Sequence, residues 1–484
     1  MKVGNNSVAI VGGGLSGSLL ALKLAKAWPD RAIFLIEPSR RLGRGLAYGA
    51  CSPEHLLNVP AARMESGLTP GFREWLEGRR GRIADAIAEA GGDLSAAFVP
   101  RALLGDYLEE RVAEARSDDS TRGLVVVRGE AVQLLDPPRR GLRLLDGREI
   151  QAETIVLATG NLPPAAPLAP DAWLRDAAAW VPDPWAVGAL DGIDPDAPVV
   201  LIGAGLTMVD IVLRLAASGH RGPMHALSRR GLTPQAHRFG GAWDTFLGPH
   251  LPASPARLMR LIRREAAKAQ ARGVPWQRVI DAVRPAIAGI WAGWSDKQRL
   301  QFLRHQRARW DVHRHRMAPR VAADFQALID AGQLTLWAGR IRSSGPAPVG
   351  ASPGAFIELA PRGGGPAVRL EGARVINCTG PRSDLKGFAG PLFTDLHRRG
   401  LLSIDTLGLG LDTDDCAVLD AKGHASDWLY ALGPLTRPAW WEVTAAPEIA
   451  AQVDRLTLDL IAPPAARRTT APLAAAFLDL GAGI

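Results

Sequence analysis

Two stretches of this chain carry glycines at a spacing that can hold a pyrophosphate. The first reads Ser7-Val8-Ala9-Ile10-Val11-Gly12-Gly13-Gly14-Leu15-Ser16-Gly17, an apolar strand followed by Gly-x-Gly-x-x-Gly and a helical pattern through Leu15, Leu19 and Leu22. The second reads Val199-Val200-Leu201-Ile202-Gly203-Ala204-Gly205-Leu206-Thr207-Met208. In such a strand-to-helix turn the first glycine makes the tight backbone and the second lets the pyrophosphate reach the helix N-terminus. The third lets helix and strand pack closely. Met208 stands where the third glycine of the second site would be, so packing there must admit a long side chain. A chain built to hold two dinucleotides can pass electrons between them.

The flanking residues divide the two sites between two cofactors. After the first fingerprint the strand Ala32-Ile33-Phe34-Leu35-Ile36 ends in Glu37, where a carboxylate would accept ribose hydroxyls and disfavour a 2′-phosphate. The loop Arg41-Leu42-Gly43-Arg44-Gly45 that follows can lie along a pyrophosphate, with Arg44 expected to neutralise it. This suits FAD or NAD. After the second fingerprint, Met224-His225-Ala226-Leu227 is followed by Ser228-Arg229-Arg230-Gly231, and paired arginines in place of an acid suit the 2′-phosphate of NADPH. Two further apolar strands end in Thr-Gly, at Ala158-Thr159-Gly160 and at Cys378-Thr379-Gly380. Such endings resemble the crossover points of two-dinucleotide flavoproteins, which puts FAD at the N-terminal site and the nicotinamide nucleotide at the second.

These motifs need an α/β scaffold of two Rossmann-like dinucleotide-binding domains. The chain has 484 residues, 47% hydrophobic and 22% charged, enough for two or three domains with sizeable cores. The expected FAD-binding domain is discontinuous, 1–165 and 374–484, and closes with a helix starting near Ala446. The expected NADPH-binding domain comprises 197–254 and 335–373. Between its halves, 255–334 has a helical pattern, with Leu258, Leu261 and Ile262 on one face and Arg257, Arg260, Arg263 and Arg264 on the other. Such an insertion is a natural substrate lid. Pro-rich stretches at 162–170 and 182–184 read as linkers.

Composition narrows the function classes. The net charge of +8 does not mark a nucleic-acid binder, because the arginines are spread through every segment. Anionic cofactors and an acidic substrate explain the charge more economically. Cys51, Cys378 and Cys416 form no Cys-x-x-Cys pair, which argues against a dithiol reductase. His313 and His315 lack further ligands at metal spacing, so no metal is expected. No apolar run approaches the roughly 20 residues of a membrane span, and no leader pattern opens the chain. A cytoplasmic protein with reduced thiols is expected.

Three clusters stand out as candidate chemistry: His55-Leu56-Leu57-Asn58-Val59-Pro60 continuing to Arg63, Trp310-Asp311-Val312-His313-Arg314-His315-Arg316, and Gly433-Pro434-Leu435-Thr436-Arg437 continuing to Thr444. With Gly45-Leu46-Ala47-Tyr48, Gly205-Leu206-Thr207-Met208-Val209-Asp210, Ser228-Arg229-Arg230-Gly231 and the stretch from Trp441-Glu442 to Glu448, they make the chain resemble a bacterial family of FAD/NAD(P)-binding proteins. That family is similar to flavin monooxygenases, and some relatives N-oxygenate an amino acid, notably aspartate to nitrosuccinate. Val443 departs from the Thr common there, and Gly433-Pro434 replaces the usual Gly-Asp.

The resemblance implies hydride transfer from NADPH to FAD and N-oxygenation of a small amine or amino acid through a flavin hydroperoxide, with molecular oxygen as co-substrate. The flavin carries this chemistry, so the chain need supply only orientation, a dry pocket and matched charge. The expected FAD lining is Gly12, Gly14, Leu15, Ser16, Gly17, Glu37, Arg44, Gly45, Asn58, Val132, Ala158, Thr159, Gly160, Gly380 and Gly433. The expected NADPH lining is Gly203, Gly205, Leu206, Thr207, Arg229 and Arg230. Asn58 and Thr444 are expected near the isoalloxazine, with Arg63, Arg382 or Arg437 as bidentate anchors for a substrate carboxylate. Two alternatives stay open: a reductase passing electrons from NADPH through FAD to a quinone or partner protein, and a flavin redox sensor acting through Cys51 or Cys378.

Overall fold

A computed structural model describes residues 7–167, 178–248, 251–349, 352–385 and 390–462. Continuous apolar runs such as Val8–Val11 and Val199–Ile202 are buried on both faces, as parallel strands covered by helices require. They form the centres of two seven-stranded sheets.

In the first sheet Val8–Val11 lies between Ile33–Glu37 and Thr154–Leu157, both parallel to it, and Leu124–Arg128 extends the Ile33 side. Ala425–Ala431 returns from the C-terminal part of the chain to pair with Thr154–Leu157. The helices Leu15–Ala27 and Ala446–Ile461 pack together over one face. A small antiparallel sheet, 131–151, carries the expected hairpin at Asp146-Gly147, where Gly147 has a φ of 86°.

The second sheet is centred on Val199–Ile202, flanked by Met224–Ser228 and by Arg374–Asn377. This corrects one expected boundary. Arg374–Asn377, read as the return to the FAD-binding domain, belongs to the second sheet, and Trp180–Val181, between the two stretches read as linkers, adds a strand to it. The physical reason is a repeated device: each fingerprint strand has a parallel neighbour ending in Thr-Gly, and the sequence alone does not say which sheet such a strand joins. Helix Pro319–Asp330, read as part of the insertion, buries Val321 and Phe325 in the core that also holds Met208. Met208 is fully buried there, so the core itself takes up the side chain that replaces the third glycine.

The remaining insertion, from helix Pro255–Ala271 to helix Arg307–Arg314, has its own core of Leu258, Ile262, Val279, Trp291, Trp294, Phe302 and Trp310. Helix Pro255–Ala271 starts at Ser254, whose hydroxyl accepts the Arg257 N–H at 3.3 Å, with Pro255 in the first turn. Trp441 enters this core from the C-terminal part of the chain and stacks on Trp291 at 4.6 Å, while Trp291 Nε1 donates to the Pro438 carbonyl at 2.8 Å. The insertion is therefore pinned to the first domain through buried contacts.

The two dinucleotide folds meet at an ion pair. Arg101 Nη1 lies 2.9 Å from Asp210 Oδ2, with little of either side chain exposed. His55 Nε2 donates to the Asp210 carbonyl at 3.1 Å while Nδ1 accepts the Ser52 N–H at 3.1 Å, so the neutral ring is satisfied on both sides. Burial holds His55 below the usual histidine pKa, consistent with that neutral form. Removing one partner of such a pair leaves a buried charge, at a typical cost of about 3 kcal/mol. Arg101→Leu should lower the urea midpoint of unfolding accordingly, and Arg101→Leu/Asp210→Leu should recover part of the loss.

Candidate functional site

Both fingerprints leave room that only glycine backbone can leave. At the first, Gly12 has a φ of 106°, and a Cβ there would lie 2.4 Å from the Ala158 carbonyl oxygen. A Cβ on Gly17 would fall 1.9 Å from the Gly12 carbonyl oxygen, the close approach for which the third glycine was read. Beside Gly12, Thr159 Oγ1 is buried without a hydrogen-bond partner, a polar atom that a bound ligand can satisfy. Gly433 faces the first turn of the same helix, where an added Cβ would lie 2.8 Å from Ser16 Oγ. Its N–H donates to Gln452 Oε1 at 2.8 Å, and Gln452 Nε2 donates to Thr436 Oγ1 at 2.7 Å, which fixes this corner.

Glu37 ends its strand beside the fingerprint and accepts the Gly13 N–H at 2.7 Å and the Ser39 N–H at 2.9 Å. The next loop closes over the turn, with Gly43 N–H donating to the Gly13 carbonyl at 2.7 Å and Gly45 backing onto Gly14. Arg44, expected to neutralise a pyrophosphate, is instead buried against Asp106 and Glu109 of helix Ala102–Ser117. Its charge is already compensated, so it holds the loop's shape while the loop backbone faces the turn. Val132 is half-buried on the small antiparallel sheet.

The second fingerprint repeats the construction. Gly203 has a φ of 121°, and its Cβ would lie 2.2 Å from the Cys378 carbonyl oxygen, as Gly12 does from Ala158. Gly380, expected at the flavin, therefore ends the strand beside this second fingerprint. Gly205 caps helix Leu206–Ala217 with open space in front of it. Of the two arginines expected at the 2′-phosphate, Arg229 is exposed, whereas Arg230 donates to the Arg304 and His305 carbonyls, both at 3.0 Å. Arg230 is thus committed to the end of helix Asp296–His305.

The three candidate clusters meet one another. Trp310 Nε1 donates to Glu442 Oε1 at 2.9 Å, and Arg314 reaches Glu442 at 3.0 Å and Glu448 at 3.1 Å. Arg284 also pairs with Glu448, and Arg316 and Arg278 pair with Asp281. The Arg63 guanidinium sits among Asp281, Arg284, Arg278 and Arg314 with no hydrogen bond to a described residue; burial first, then those arginines, lowers its pKa against the pull of Asp281. His237 Nε2 donates to the Asn58 carbonyl at 2.8 Å, tying Asn58 to this cluster. Arg437 lies over Trp441 at 4.7 Å, and burial followed by Arg307 brings its pKa down to about 10, so it stays protonated at neutral pH. Thr444 is exposed, and the backbone of Arg382 forms an isolated antiparallel bridge with Leu162. Arg278, Asp281, Arg284 and His237 were not anticipated; single charged residues in helices and loops give no spacing signal.

The cysteines have little thiolate character. Cys378 is buried and its thiol is pushed far up by burial; half-buried Cys51 is also raised, chiefly by burial. Among the described residues no group of three His, Cys, Asp or Glu could hold a metal ion, and no helix is long and apolar enough to cross a membrane.

Residues 9–162 match a family model described as FAD-NAD(P)-binding. No curated protein matches the chain. Among solved structures, L-lysine 6-monooxygenase from Pseudomonas syringae is 18% identical with a TM-score of 0.62, covering 94% of this chain and 98% of its own. Ornithine N-hydroxylase from Kutzneria sp. 744, solved with reduced FAD, NADP+ and L-ornithine, is 15% identical with a TM-score of 0.59, covering 93% and 99%. The cadaverine monooxygenase of Erwinia amylovora, bound to FAD, is 10% identical with a TM-score of 0.61, covering 96% and 97%. The two-dinucleotide fold is thus shared over nearly the whole chain.

One titration follows from the site. Burial, then Arg316, brings His237 down to about 4 from 6.5. The unfolded chain binds this proton between those values and the folded chain does not, so its contribution is complete above pH 6.5 and is lost as pH falls toward 4. At about 1.4 kcal/mol per unit the span is roughly 3 kcal/mol. His237→Gln, which keeps a donor for the Asn58 carbonyl, should lose less Tm between pH 7 and pH 5 than the parent protein.

Proposed function

We propose that this chain is an FAD-dependent, NADPH-consuming monooxygenase that N-oxygenates a small amine or amino acid, with an aspartate-like acidic substrate preferred. The observation that carries the reading is the buried arginine-rich cluster, in which Arg63, Arg278, Arg284, Arg314 and Arg316 gather around Asp281, Glu442 and Glu448. The carboxylates do not balance the guanidinium groups, and a substrate carboxylate would. The likeness to three amine and amino-acid N-monooxygenases supports the same class.

The first fingerprint fits FAD: Gly12, Gly14 and the Gly43–Gly45 backbone would receive the pyrophosphate, Glu37 the ribose, and the unpartnered Thr159 hydroxyl a hydrogen bond. Gly203, Gly205 and Arg229 would hold NADPH. When bound, the flavin would take a hydride from NADPH and deliver oxygen to the amine nitrogen. The chain's part is positioning. Arg63 would bind a substrate carboxylate, and Arg437, kept in place over Trp441, a second one. His237 would fix the backbone at Asn58, at the flavin edge, by its Nε2–H bond. The buried Trp291, Trp441 and Phe302 cluster would shield the arginine cluster from bulk water.

The test is NADPH consumption by the purified holoprotein in air with a panel of amines and amino acids, with N-oxygenated product scored by mass spectrometry. Acceleration by an acidic amino acid, with matching product, is expected. Equal hydrogen peroxide with every amine, and acceleration by quinones instead, would favour the reductase. Arg63→Gln should raise the KM for the accepted amino acid tenfold or more, in line with about 1.5–3 kcal/mol for a hydrogen bond to a charged group.

A further inference from the structure

The exposed face of the helical insertion holds a second concentration of positive charge, made by residues other than those of the buried arginine cluster. A cavity of about 300 Å3 opens between helix Pro255–Ala271 and the junction of helices Asp296–His305 and Arg307–Arg314. Arg260, Arg263, Arg309 and His305 line it, with Met259 and Gln306, and no carboxylate does. Among the described residues, the guanidinium groups of Arg260, Arg263 and Arg309 make no hydrogen bond or ion pair, whereas Arg278, Arg284, Arg314 and Arg316 of the buried cluster are all paired. Three guanidinium groups around one cavity with no carboxylate among them suit an oxyanion, which can accept hydrogen bonds from several of their N–H groups at once.

Its location indicates which anion. The helix end that supplies His305 and Gln306 is the one that Arg230 grips by the Arg304 and His305 carbonyls. Arg230 immediately follows the strand Met224–Ser228 and exposed Arg229, where the ribose end of the second dinucleotide would lie. We propose that this cavity binds a phosphate dianion, carried on the nucleotide as the ribose 2′-phosphate or free in solution, so that the insertion takes part in nucleotide choice. The nucleotide-borne case rests on the NADPH reading of the second fingerprint. Arg230 acts there as a positioning residue that joins the insertion to the end of the strand.

The test is calorimetric titration of the full-length holoprotein and of Arg260→Gln/Arg263→Gln with 2′,5′-ADP, 5′-AMP and inorganic phosphate. Both residues are exposed, and an unchanged Tm checks the variant's folding. The expected result is at least tenfold weaker binding of 2′,5′-ADP by the variant, with 5′-AMP changed less than twofold. Weaker inorganic phosphate alone, with the 2′,5′-ADP to 5′-AMP ratio preserved, would assign the cavity to free phosphate. If the parent protein binds neither nucleotide, the NADPH reading fails, and the phosphate titration still decides the cavity. Identical binding of 2′,5′-ADP and phosphate by parent and variant, or no binding of either by the parent, overturns the proposal.

Discussion

The ion pair between Arg101 and Asp210 is the constraint on which the arrangement of the two sites depends. Asp210 stands on the helix that begins at the second fingerprint, and Arg101 opens the helix whose Asp106 and Glu109 hold the loop over the first. One pair therefore relates the two phosphate-binding turns, and His55 reinforces it through the Asp210 carbonyl. Its low exposure matters, because a surface pair would be worth too little to set a domain orientation.

A second set of contacts fixes the insertion. Trp441 completes the insertion's apolar core, and Glu442 and Glu448 gather Arg284 and Arg314 around the same joint. Any closing motion of the insertion as a lid would have to break this stacked tryptophan and these ion pairs first. The insertion also pairs Arg278 with Asp281 and leaves Arg260 and Arg263 exposed on another face. Its two faces thus differ in how fully their charges are compensated.

The parts of this architecture that were legible in the sequence are those that depend on local spacing. Gly12, Gly17 and Gly203 are required by backbone approach, Glu37 by the end of its strand, and the Asp146-Gly147 hairpin by turn chemistry. Assignment of Arg374–Asn377 failed because a buried parallel strand ending in Thr-Gly serves either sheet equally well. Arg44 and Arg230 were read as phosphate contacts because basic residues beside fingerprints commonly are. Their actual partners, Asp106 and Glu109 for one and helix-end carbonyls for the other, lie more than sixty residues away in the chain. His237 and Asp281 gave no signal, since their roles arise only from tertiary neighbours. The His55, Trp310 and Gly433 clusters stand out in the sequence, but no local pattern shows that they meet.

The central claim is that this fold holds a flavin and a nicotinamide nucleotide and lets the second reduce the first. Its most direct test is anaerobic mixing of the yellow holoprotein with NADPH or NADH while the flavin absorbance near 450 nm is followed. The account predicts single-turnover bleaching that is faster with NADPH than with NADH. A flavin that neither nucleotide reduces would contradict it.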